Sequence, residues 1–252
     1  LMTRIITSLS EISESYDALF CDLWGCVHDG LTPFAEAVAA LQAFRAKGGT
    51  VMMVTNAPRP HAPVRRQLER LGVPSDAYDG IATSGDSARA AMLRGAVGEK
   101  VYFIGQSHDQ DFFTPLELIE NPVVISQVAL EQAEGIVCCG PFDPLADPDE
   151  MRAQFLQAKT RGLKLLCANP DIVVDRGETR EWCAGALAKL YTEMGGESLY
   201  FGKPHPPIYD LARRRLEALD KDIPDSRILC VGDGILTDID GAMGEDLDSL
   251  FI

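Results

Sequence analysis

Short apolar runs alternate with stretches of helical periodicity along most of this chain. The runs at 18–23, 50–55 and 81–83 predict strands, and apolar positions at helical spacing predict helices over 34–47 and 64–71 between them. Gly48-Gly49 stops the first helix, and a Pro-rich link at 57–63 leads into the second. The alternation continues with strands near 101–104, 123–126, 135–139 and 163–167 and helices near 86–94 and 148–161. Turns at Gly140-Pro141 and Asn169-Pro170 punctuate this stretch. A helix over 181–194, a strand at 198–201, a helix over 207–219, a strand at 227–231 and a last helix over 238–243 follow. Leu250-Phe251-Ile252 reads as a strand cut short by the chain end. Strands that alternate with helices pair in parallel through crossovers, so the expected class is α/β. The expected division is a core of 1–84 and 178–252 carrying an inserted α/β layer at 85–177.

Composition narrows the partners. Of 252 residues, 46% are hydrophobic and 24% charged, enough for a sizeable core. The formal net charge of -15 repels phosphate backbones and anionic membranes, which argues against nucleic acid and membrane partners. A small anionic substrate then needs local positive charge, from a metal ion or a placed lysine. The seven cysteines lie in or beside apolar runs without paired ligand spacing, so they read as reduced core residues rather than a zinc set. No segment reaches the roughly 18 apolar residues of a membrane span, and a cytoplasmic location is expected.

In an open parallel sheet, ligands bind beyond the carboxyl ends of the strands. Four polar features fall at expected strand ends: Asp22 in LFCDLWG, Thr55-Asn56 in VMMVTNAPR, Lys203 in LYFGKPHPP, and Asp233 with Asp238 in ILCVGDGILTD. Taken singly, such an Asp is commonly a helix cap and such a Lys a solvated surface residue. Carboxylates gathered at one edge repel by several kcal/mol at about 4 Å unless a cation neutralises them, and Mg²⁺, which prefers oxygen ligands, is the expected one.

These four features, in this order, resemble the motifs of the haloacid dehalogenase-like hydrolase superfamily. Asn169-Pro170-Asp171, the Thr55-Asn56…Arg59 loop and Val231-Gly-Asp…Thr237-Asp-Ile239 resemble its class IIA branch, which includes nitrophenyl-, nucleotide-, sugar- and pyridoxal-phosphate phosphatases. The resemblance implies a Rossmann-like core, a cap inserted between the second and third motifs, and sequence that usually continues past the final strand. It also implies a phosphohydrolase acting on a small phosphorylated metabolite. Asp22 is the nucleophile, forming an aspartyl-phosphate; Thr55 and Lys203 bind the phosphoryl oxygens; Asp22, the Trp24 carbonyl and Asp233 hold Mg²⁺; Asp238 orients metal-bound water. Trp24, Asn56, Arg59, Asn169 and Asp171 are the expected substrate-binding residues, with the Asn169–Asp171 loop setting selectivity. A cap face usually contributes to dimers in this branch, so a homodimer follows by analogy.

One position departs from the pattern. Family phosphatases carry a second Asp two residues after the nucleophile, which protonates the leaving oxygen and then activates water; here that residue is Trp24. An indole only donates hydrogen bonds and has negligible acidity. Three readings follow. The chain is a phosphatase that uses another acid, with His28 or Asp29 as candidates, or one confined to good leaving groups; it hydrolyses another bond type; or it binds phosphate and Mg²⁺ with little turnover. His61, His108 and His205 read as surface residues, and Arg213-Arg214-Arg215 as a solvated helix face. A receiver domain is about half this length, and no Gly-x-Gly-x-x-Gly dinucleotide fingerprint occurs.

Overall fold

The structure, a computed structural model, describes residues 3–116 and 119–252. The elements run β1 (Ala18–Cys21), α1 (Ala35–Ala46), β2 (Thr50–Thr55), α2 (His61–Leu71), β3 (Gly80–Thr83), α3 (Ser84–Leu93), β4 (Lys100–Ile104), β5 (Ser126–Gln127) and β6 (Gly135–Cys138). They continue α4 (Arg152–Thr160), β7 (Lys164–Cys167), β8 (Val173–Arg176), β9 (Thr179–Trp182), α5 (Ala184–Glu193), β10 (Glu197–Tyr200), α6 (Pro206–Glu217), β11 (Ile228–Gly232), α7 (Asp240–Gly244) and β12 (Asp248–Phe251). Chain contacts divide the molecule into one unit of 1–55, 65–82 and 209–252 and a second of 56–64 and 83–208.

The first unit is built on a five-stranded sheet in the order β12-β11-β1-β2-β3. β1 pairs in parallel with both β11 and β2, and β11 with β12. β1 and β2 are buried along their whole length, as continuous apolar runs covered on both faces must be. α1 turns Val38, Leu41 and Phe44 inward, and the chain leaves it through Gly48 at φ +93°, a backbone state other residues rarely adopt. Arg45 fastens this corner with a two-pronged pair to Asp79 at 3.0 and 2.7 Å, while Asp79 also accepts the Val51 N–H at 2.8 Å. The register sets Cys21 beside Val231, so Asp22 and the Gly232–Asp233 turn emerge side by side at the carboxyl ends of adjacent strands.

The second unit has its own parallel sheet, ordered β10-β7-β6-β4-β5. Alternate strand residues feed two apolar clusters. One gathers Ile136, Cys138 and Leu165 with Phe155, Leu187 and Tyr191; the other gathers Val137 and Leu166 with Met92 and Phe112. The expected strand at 198–201 is β10, and it is hydrogen-bonded to β7 in this second sheet rather than continuing the first. A short apolar run carries no mark of which sheet it will join; only the long-range pairing decides. The helix expected over 181–194 starts at Ala184, because Thr179–Trp182 pairs with Val173–Arg176 as an antiparallel hairpin through Gly177 at φ +60°. The strand expected near 123–126 shrinks to Ser126–Gln127. Among the described residues, no helix is long and apolar enough to cross a membrane.

Candidate active site

The ten expected site residues fall five to each unit. The first holds Asp22, Trp24, Thr55, Asp233 and Asp238; the second holds Asn56, Arg59, Asn169, Asp171 and Lys203.

In the first unit Asp22 follows β1 directly. Its N–H donates to the Val231 carbonyl at 2.9 Å, extending the strand ladder by one bond, and its Oδ1 accepts the Leu23 N–H at 2.8 Å. Asp22, Cys26 and Asp233 each place a ligand-capable atom within 4.8 Å of the others. Gly25 makes this approach possible: it sits at φ +78°, and any Cβ built there would overlap the Asp233 carboxylate. Two carboxylates held this close suit a hard divalent cation such as Mg²⁺. The Cys26 sulfur is a poor ligand for such an ion. Burial and the Asp22 charge push its thiol well up, so it stays protonated beside the acids.

Asp238 is buried behind the same turn, its Oδ2 accepting the Gly234 N–H at 3.1 Å. It lies against Gly232 so closely that a side chain there would overlap it. The residue therefore shapes the Gly232–Gly234 turn that presents Asp233. Thr55 ends β2 and is buried.

The loop after Asp22 is shaped around Trp24. Its six-membered ring lies over Gly30, at φ +86°, where a Cβ would overlap it, and its ring system meets His28 edge to face at 5.1 Å. His28 is no mobile surface group. It is 1% exposed, its Nδ1 accepts the Gly30 N–H at 2.9 Å, and burial pulls its pKa down to about 4. Asp29 folds an Asx turn, Oδ1 accepting the Leu31 and Thr32 N–H groups at 2.8 and 2.7 Å, and these bonds hold its carboxyl below the ordinary range. Neither is presented as an acid.

In the second unit a single amide ties three expected residues together. Asn56 Oδ1 accepts the Lys203 N–H at 2.7 Å; its Nδ2 donates to the Lys203 carbonyl at 3.0 Å and to Asp171 Oδ1 at 2.8 Å. Asn169 Oδ1 accepts the Asp171 N–H at 3.0 Å. Both amide protons of Asn56 are thus committed, and the residue clamps the 169–171 and 202–203 loops. Gly202 is required here, since a Cβ would overlap Asn56 and Pro170. Arg59 pairs with Asp111 at 3.1 Å.

The sequence reading missed two features. Cys26 was expected as plain core, yet its sulfur lines the carboxylate pair; its spacing of four from Asp22 in a tight loop was the available signal. His61, whose side chain is 44% exposed as a surface residue's is, also places Nδ1 2.9 Å from the buried Asp86, which lies 3.5 Å from Arg89, a contact not foreseen. Its pattern offered no warning, because Asp86 is 25 residues away. His205 stacks on Tyr200 at 4.9 Å, and Arg213 joins Asp225 and Glu245 in ion pairs. All seven cysteines are free and buried, as expected.

A family profile described as haloacid dehalogenase-like hydrolase matches residues 19–118, and a second, HAD-hydrolase-like, matches 200–252. Among solved structures, a haloacid dehalogenase-like hydrolase from Brucella suis is 42% identical, with 98% of this chain and 89% of that one covered and a TM-score of 0.92. A magnesium complex of a glycerol phosphate phosphatase from Mycobacterium tuberculosis is 26% identical over 95% of this chain and 69% of that one, TM-score 0.69. The fold is also that of a 4-nitrophenylphosphatase from Thermotoga maritima, 19% identical over 95% and 87%, TM-score 0.71. No curated protein matches. The Asp22–Asp233 carboxylate pair at adjacent strand ends and the 42% identical relative together carry one conclusion: this chain belongs to the haloacid dehalogenase-like hydrolase family.

Proposed function

We propose that the protein is a Mg²⁺-dependent phosphohydrolase of the class IIA branch, acting on a small phosphorylated metabolite through an aspartyl-phosphate on Asp22. The observation that carries this reading is the convergence of the Asp22 and Asp233 carboxylates at the ends of β1 and β11. Asp22, Asp233 and the Trp24 carbonyl would hold the ion, which supplies charge neutralisation that lets an anionic nucleophile meet an anionic phosphate. Asp22 attacks phosphorus in line, and Thr55 and Lys203 bind the equatorial oxygens as charge develops on them. Asp238 keeps the Asp233 turn in place. The loop of Asn169 and Asp171, fixed by Asn56, selects among substrates.

Release of nitrophenolate from nitrophenyl phosphate in Mg²⁺ tests this directly. Asp22→Asn removes the nucleophile and abolishes turnover; a folded Asp22→Asn variant as active as the wild type would refute the assignment. A second reading, a phosphate and Mg²⁺ binder with little turnover, is favoured by Trp24, whose ring occupies the loop where a proton-transferring group is needed. Phosphate binding without turnover in the same assay would select it.

A further inference from the structure

The loop of residues 22–32 constrains which phosphate compounds the site can cleave. When Asp22 attacks phosphorus, the bond from phosphorus to the leaving oxygen breaks and its electron pair departs with that oxygen. An alkoxide, of parent acidity near that of water at about 16, leaves slowly unless a proton reaches it. A phenolate, of parent pKa about 10, leaves more readily, and a carboxylate, of parent pKa about 4, needs no proton at all.

Each protic side chain in the loop is committed or withdrawn. Trp24 stands two residues past the nucleophile, and its indole is not an acid. Its ring is seated on Gly30, whose missing side chain makes the room, so the loop is built for the indole. His28 is buried, and its Nδ1 is occupied by the Gly30 N–H. Asp29 is anchored in the turn, its Oδ1 taken by the Leu31 and Thr32 N–H groups. Cys26 is 3% exposed beneath the acids it lines. Among the described residues of this loop, none is placed to hand over a proton.

We propose that the enzyme is restricted to phosphoryl donors whose leaving oxygen departs as a stable anion, with carboxylic–phosphoric anhydrides the best-matched class. The proposal rests on the phosphohydrolase reading above. In the first step the Asp22 oxygen–phosphorus bond forms as the anhydride bond breaks, and the substrate carboxylate leaves with the electron pair. In the second, water attacks phosphorus, Asp22 leaves as a carboxylate, and both water protons end on phosphate as H₂PO₄⁻, one of them by way of solvent.

The test is a leaving-group series in Mg²⁺: acetyl phosphate, aryl phosphates of graded phenol acidity, and glycerol phosphate, with kcat/KM measured for each. Turnover is expected to fall steeply with leaving-group basicity, and glycerol phosphate to lie about 10²- to 10⁴-fold below the level a general acid would give. Trp24→Asp should flatten the series by raising the alkyl end, with Trp24→Asn, which cannot transfer a proton, leaving the slope unchanged. The wild-type slope needs no variant to fold. Alkyl and acyl phosphates cleaved alike would overturn the proposal, because an acid must then come from elsewhere. Loss of all turnover, nitrophenyl phosphate included, would overturn the phosphohydrolase reading itself, and is distinct from a flat series.

Discussion

Gly25 is where a single hydrogen atom decides the carboxylate geometry. At φ +78° an L side chain costs about 1 kcal/mol or more, and here a Cβ would also overlap Asp233. Gly25→Ala must move either the loop or the Asp233 carboxylate, and either movement disturbs the paired acids. The expected result is a fall in Mg²⁺ affinity of about tenfold or more, equivalent to about 1.4 kcal/mol, read by calorimetric titration. Unchanged affinity in a folded Gly25→Ala protein would mean that Asp233 is not held against this loop. The need for glycine was half legible: Asp22-Leu-Trp-Gly marks a turn, but its steric partner lies 208 positions along the chain. Asp238 is hidden for another reason, since its partner Gly234 lies only four residues away. Sequence placed it near the chemistry, and only the structure shows that its Oδ2 accepts the Gly234 N–H and so braces the Asp233 turn.

Among elements, the parallel strands were the most legible, because strands buried on both faces read as unbroken apolar runs. The hairpin of β8 and β9 was not. Its residues are half polar, and β9 runs straight into the helical pattern of α5, so periodicity merged the two. β10 was found as a strand and assigned to the wrong sheet, which put Lys203 at the end of the first sheet in the reading and at the end of the second in the structure. What holds that end is Asn56. Removing its amide takes three bonds from the Lys203 peptide groups and the Asp171 carboxylate, all of them buried or partly buried, at 2.7, 3.0 and 2.8 Å. Asn56→Ala is expected to lower stability by about 2 to 4 kcal/mol in urea unfolding. A cost within about 0.5 kcal/mol, the range of ordinary surface substitutions, would show that the clamp does no more than accompany the fold.

At the scale of the whole molecule the dominant fact is charge. Asp and Glu number 38 against 23 Lys and Arg, a net of -15, so a phosphate dianion diffuses against an opposing field before it meets any local positive group. Salt shortens the reach of that field from about 30 Å at 0.01 M to about 8 Å at 0.15 M, while a bound ion and a buried lysine act within a few ångströms and are screened far less. Raising NaCl between these limits at fixed Mg²⁺ should therefore raise kcat/KM for a dianionic substrate severalfold and leave kcat nearly constant, since only the approach is affected. The sign is the discriminating part. A site whose long-range potential is positive despite the net charge would lose kcat/KM with salt, and that result would mean the acidic residues are turned away from the path the substrate takes.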